Sequence, residues 1–250
     1  MRLRPTLLVV LALGLVAARK RQPTEPAPRW ISEGESAQFA LLELLIDQGD
    51  IERSMALIQV MRDQGRNDDE LDLQQGIVAR DAGLIDEAHE MLDRAFEAKP
   101  RDPRVHEARC VLYANEQRVD EAVTACERAV ELDADRASAW NNLGYLNLTA
   151  GRADASLEAL QTAVRLEPTV ARFRNNLGMA QIAVGNEGAG FRSFRASGST
   201  ADAHYNVGVA HNLLGHGDLA QAAWRRALDA NPRHVAALDA LNHPDASENP

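Results

Sequence analysis

Chemistry needs reactive side chains at spacings that a fold can unite, and few stretches of this sequence offer them. No His-Glu-x-x-His or Gly-x-Ser-x-Gly stretch occurs, and no phosphate loop ending in Gly-Lys-Ser or Gly-Lys-Thr. Gly185-Asn-Glu-Gly-Ala-Gly190 looks like a phosphate loop, but its first Gly suits a turn and no strand precedes it. His204, His211 and His216 lie close in sequence. A seven-residue gap on a helix nevertheless separates two ligands by about 10 Å, too far for shared coordination of a metal. The sequence therefore predicts a protein with no catalytic residues, no metal and no cofactor.

Two further sets of residues call for a reading. Cys110 and Cys126 are the only cysteines. They behave either as two small apolar side chains or, if their Cα atoms come within about 4.4–6.8 Å in an oxidising compartment, as a disulfide. Asn142, Asn176 and Asn206 recur in nearly the same wording, "WNNLGY", "FRNNLGM" and "YNVGV". Such a return points to a repeated element that places the same side chain again and again.

The repeat has a period of 34 residues. With Ala137 at position 1, Trp140, Leu143, Gly144, Gly151, Ser156, Leu160, Ala163 and Pro168 occupy positions 4, 7, 8, 15, 20, 24, 27 and 32. Stepping by the same period marks units 35–68, 69–102, 103–136, 137–170, a shortened 171–200, and 201–234, then a cap at 235–242 and a tail at 243–250. Small residues at positions 8, 20 and 27, Gly144, Gly178 and Gly208 among them, let two helices close on each other. Bulky residues at 4, 7 and 24 fill the space between units. Gly at 15 ends the first helix, and Pro100, Pro168 and Pro232 at position 32 end the second. In the shortened unit, Gly188 and Gly190 each cost a helix interior about 1 kcal/mol relative to Ala. The second helix there is expected to be the weakest, and a hinge.

The pattern resembles the tetratricopeptide repeat, a helix–turn–helix unit. The resemblance implies an all-α, right-handed α-solenoid of six units plus a cap helix, a protein-binding scaffold whose first helices line a concave face. In chaperone-binding members, Asn together with basic residues at positions 2 and 6 holds a partner's carboxylate. Here Arg172 at position 2 stands beside Asn176, but Asn141 and Tyr145 replace the Lys and Asn that such a clamp needs at positions 5 and 9. Asn142, Tyr145, Arg172, Asn176 and Asn206 are thus expected to contact a partner's peptide backbone, or simply to solvate the helices. The N-terminal signal, the array length and the shortened unit followed by "ADAHYNVGVA" also resemble TadD-type proteins of tight-adherence (Flp) pilus assembly. Those proteins carry a Cys after the signal, and this chain has none.

Composition bounds the partner. The chain of 250 residues is 45% hydrophobic, enough for a sizeable core, and its net charge of -10 argues against a general nucleic-acid binder. By unit the charge runs -4, -6, -3, -1, +3 and 0. Arg2 and Arg4 followed by the apolar run Leu7 to Ala18 predict a signal peptide or anchor at 1–18, with a Pro-rich linker at 19–34. Arg19-Lys20-Arg21 directly after that run resists translocation. Export to the periplasm or membrane surface is the first expectation, with possible membrane attachment through this segment. A cytoplasmic adaptor or co-chaperone is the second. The expected partner is a protein or peptide, bound by a monomer.

Overall fold

The computed structural model describes residues 35–243. The expected signal and linker, and the tail beyond His243, lie outside the described residues. Among the described residues there are thirteen α-helices and no strand. Six antiparallel pairs follow one another: α1 (Glu35–Asp47) with α2 (Ile51–Asp63), α3 (Asp69–Asp81) with α4 (Ile85–Ala98), and α5 (Pro103–Asn115) with α6 (Val119–Leu132). Then come α7 (Ala137–Thr149) with α8 (Ala153–Leu166), α9 (Ala171–Ala183) with α10 (Glu187–Arg195), and α11 (Thr200–Leu213) with α12 (Gly217–Ala230). The last helix, α13 (Val235–Asn242), has no partner of its own among the described residues and packs on α12, with Ala237 buried beside Trp224 and Ala227.

The second helices form because apolar residues recur along one stripe: α4 buries Ala88, Met91, Leu92 and Ala95 and leaves its acids outside. The first helices are enclosed on more sides, and α7 buries polar Asn141 and Asn147 along with Leu143 and Leu146. Side chains of Asp50, Asp68, Asp102, Asn186 and Ser199 cap helix starts by accepting from backbone N–H groups. Within five of the six pairs the tight turn is made by a Gly in the left-handed region, such as Gly151 at φ 74°; in α5–α6 Gln117 takes that conformation at φ 62°.

Position 4 does more than fill space. His106 Nε2 meets the carbonyl of Pro100 at 2.9 Å, Trp140 Nε1 donates to that of Ala134 at 2.8 Å, and Arg174 donates to that of Pro168. Each reaches six residues back, so the start of one pair is fastened to the turn that leaves the previous one. Trp140 packs against the core of α5–α8 and also against the cluster around Phe173.

The first helices of consecutive pairs touch one another along the array, and the second helices scarcely do. A stack that is closer on one side curves toward it, so α3, α5, α7, α9 and α11 line the inner, concave side. Among the described residues no helix is long and apolar enough to cross a membrane.

Cys110 and Cys126 are joined by a disulfide, with Cα atoms 5.2 Å apart and both residues fully buried. Of the two readings left open by the sequence, the bridge is the one the fold adopts. The reason is geometric: positions 8 and 24 are where the two helices of a pair come closest.

The shortened pair has the shortened second helix expected of it, and one of its two glycines has a packing role that helix propensity does not show. Helix α10 has 9 residues where the other full second helices have 13 or 14, and Phe194 in it is 1% exposed, seated against Gly178. A Cβ on Gly190 would lie 2.6 Å from Ile182 Cγ1 and 2.9 Å from the Gly178 carbonyl oxygen, whereas at Gly188 the nearest atom is Arg192 Nη1 at 3.7 Å. Gly190 therefore permits the closure of α9 on α10 and is no mere helix defect. Gly188→Ala is expected to raise stability by about 0.5–1 kcal/mol, and Gly190→Ala to lower it by about 1–3 kcal/mol. Urea denaturation of the two variants checks this, and equal shifts in one direction would contradict the packing account.

Candidate functional site

The concave surface carries its polar side chains on α5, α7 and α9. Glu107 of α5 is the hub: it accepts from Arg136 Nη1 at 2.8 Å and from Asn142 Nδ2 at 3.5 Å. Arg136 is also 3.6 Å from Asp133. One pair further along, Asn176 Nδ2 of α9 donates to Asn141 Oδ1 of α7 at 2.9 Å, fully buried. The two contacts repeat one relation, in which an Asn at position 6 reaches position 5 of the preceding pair. Helix periodicity places these residues on the flank that meets the neighbouring first helix.

The expected site residues accordingly divide. Asn142 is half-buried and Arg172 exposed, both accessible from the groove, while Asn176 is 7% exposed and Tyr145 likewise 7%. Asn176 enters as a rung between α7 and α9, because burial and its bond to Asn141 leave it no surface. Burial pushes the Tyr145 phenol well above its ordinary pKa, so it stays neutral. Asn206 lies on α11, half-buried; among the described residues it makes no side-chain hydrogen bond, and Asn175 Oδ1, in position 5 of the preceding pair, is buried without a partner. The structure thus joins Asn142, Arg172 and Glu107 into one polar cluster and leaves Asn206 apart from it.

Arg172 lies with its guanidinium carbon 5.5 Å from the centre of the Phe173 ring. Crowding around it lowers its pKa from the ordinary arginine value, against the opposing pull of Glu107 and Glu167. A guanidinium in that position remains charged and gains more from an incoming acceptor than one bathed in solvent. The cluster can therefore hold a segment of chain: Asn142 offers a donor and an acceptor, Arg172 a cation, and Glu107 an acceptor already held in place.

Glu107, Arg136 and Asn141 were missed as contributors by the repeat pattern. Their signal lay in positions 5 and 34, which the self-similarity of the units does not mark. Elsewhere, Arg104 joins pairs two and three through Glu70 at 2.8 and 2.7 Å, and Asp72 joins pairs one and two through Arg62 while meeting Arg94 within its own pair. His204 packs on Phe191 with ring centres 4.6 Å apart, and His211 meets Glu187 at 3.2 Å. No group of three metal-binding side chains occurs among the described residues.

Residues 73–137, 111–171 and 141–187 match the family model described as Tetratricopeptide repeat. No curated protein matches the chain. Among solved structures, YrrB, described as a TPR protein with an unusual peptide-binding site, is 21% identical at a TM-score of 0.57, over 74% of this chain and 97% of that one. MamA is 21% identical at 0.54, over 66% and 92%. Pseudomonas aeruginosa pilF is 14% identical at 0.61, over 82% and 95%. At these identities the likeness is one of fold.

The division of the asparagines is testable. Asn176→Ala leaves a buried acceptor on Asn141 unmatched and is expected to cost about 1–3 kcal/mol. Asn142→Ala, half-buried and weakly bonded, is expected to stay within about 0.5 kcal/mol of the parent. Chemical denaturation followed by circular dichroism separates them, and a neutral Asn176→Ala would remove the rung from the account.

Proposed function

We propose that this array of tetratricopeptide repeats is a non-catalytic scaffold, acting as a monomer, that holds an extended segment of another protein in its concave groove during assembly of a bacterial envelope, pilus or secretion complex. The observation that carries the reading is the accessible cluster of Asn142, Arg172 and Glu107 on the inner helices, held by Arg136 yet not closed off by it. Stacked helix pairs form such grooves without needing a moving part. A peptide-binding site is also described for YrrB, a solved structure of similar fold.

The placement in an envelope complex rests on three supports. Residues 1–18 have the make-up of a signal or anchor. The buried Cys110–Cys126 disulfide suits an oxidising compartment. The fold is similar over 82% of the chain to that of pilF from Pseudomonas aeruginosa. The second reading, a cytoplasmic adaptor or co-chaperone, is favoured by Arg19-Lys20-Arg21 behind the apolar run. Cell fractionation separates the two.

The groove is tested by affinity capture with the full chain followed by mass spectrometry. The Asn142→Ala, Arg172→Ala double variant is expected to recover several-fold less partner with unchanged helicity. Undiminished recovery would move the binding site elsewhere.

A further inference from the structure

Cations are treated in two different ways along this array. From Arg53 to Arg152, every Arg and Lys except Arg101 lies within 4.0 Å of a carboxylate. From Arg165 to Arg195 none of the five arginines forms an ion pair among the described residues. Only Glu167 and Glu187 supply negative charge in that stretch, and Glu187 faces away to His211 and Arg226.

These arginines gather at one edge of the solenoid. Arg165 is in the last turn of α8, and Arg192 and Arg195 are in the last turn of α10. Antiparallel pairing brings those ends beside the start of α9, where Arg174 stands. Arg174 Nε donates to Ser197 Oγ at 3.2 Å, and Arg195 Nη1 donates to the Gly198 carbonyl at 2.7 Å, so the two flank a single turn. Carbonyl and hydroxyl partners orient a guanidinium without cancelling its charge. The helix C-terminal dipole favours Arg192 and Arg195 where they are, but it supplies only about half an elementary charge. Arg165, Arg192 and Arg195 remain exposed.

We propose that this edge of the fourth and fifth units, formed by Arg165, Arg192 and Arg195 with Arg174 behind them, is a second interaction surface that takes an extended acidic segment of a partner protein. It is separate from the concave groove. Second helices of neighbouring units stand roughly 10 Å or more apart, a distance that three or four residues of extended chain span. Carboxylates at every third or fourth residue would therefore meet α8 and α10 in turn. A long polyanion is disfavoured, because the first three units carry -4, -6 and -3 and a duplex or a membrane lying along the edge would come within a Debye length of them. A short acidic segment confined to the fourth and fifth units avoids that repulsion.

The test uses the full chain and a fluorescein-labelled Gly/Ser peptide with Glu at every third position, followed by anisotropy at low and high salt. Saturable binding that weakens with salt is expected. The Arg165→Gln, Arg192→Gln, Arg195→Gln variant keeps the Arg174 clasp and the same circular dichroism, and is expected to bind about tenfold more weakly, the sum of three exposed charge contacts. Arg172→Ala, in the groove, should bind the peptide as the parent does. Absence of saturable binding, or equal binding by the triple variant, overturns the proposal. So does a chain that ignores the peptide but sediments, in an arginine-dependent way, with vesicles of equal parts phosphatidylglycerol and phosphatidylcholine; that result would assign the edge to a membrane surface.

Discussion

The contact between positions 8 and 24 is the constraint on which the rest of the array depends. In four pairs one partner has no side chain at all. A Cβ on Gly76, Gly144, Gly178 or Gly208 would fall 2.7, 2.5, 2.8 or 2.3 Å from the nearest atom of Leu92, Leu160, Phe194 or Trp224. The residue at position 24 thus presses against bare backbone, and it grows from Leu to Phe to Trp along the chain while the partner stays Gly. In the third pair the same point is closed by Cys110 and Cys126. In the first pair Leu42 and Ile58 take these positions, both buried, consistent with a terminal unit that need not repeat its neighbours' spacing.

Close approach within each pair governs what lies between pairs. Once the two helices of a unit are fixed at one point, their outer flanks meet the next unit at a repeated offset, and the polar rungs follow from it. Glu70 with Arg104, Glu107 with Arg136 and Asn142, and Asn141 with Asn176 all join one first helix to the next. Partly or fully buried polar pairs of this kind add little net stability but penalise any slipped register, because a shift leaves donors and acceptors unmatched. The groove owes its fixed shape to them. What is left accessible on it, Asn142 and Arg172 around Glu107, is the part of the ladder that the array does not consume.

Much of the fold was legible because a repeat states its own geometry. Gly144, Gly178 and Gly208 mark the close contact through self-similarity alone, and Pro100, Pro168 and Pro232 fall in the turns after their second helices. What the repeat hides is any pairing between unequal positions of neighbouring units. Asn176 looked like a groove residue because its equivalents recur, yet its partner stands at position 5 of the previous unit and the bond between them is buried. Glu107 and Arg136 drew no notice for the same reason. Gly190 was misjudged differently: helix propensity counts a cost within the helix and is blind to Ile182 and the Gly178 carbonyl that fill the space across from it. The disulfide needed a distance that spacing along the chain does not contain.

The most direct measurement of the central claim exchanges one version of the contact for another. Cys110→Gly with Cys126→Leu installs in the third pair the combination found at Gly76 with Leu92 and at Gly144 with Leu160. Thermal unfolding under reducing conditions would compare this variant with the reduced parent and with Cys110→Ala, Cys126→Ala. If positions 8 and 24 are one interchangeable contact, the Gly/Leu variant melts above both. A variant that melts below the Ala/Ala protein would mean that the third pair closes by a geometry of its own, and that the contact is not the common constraint of the array.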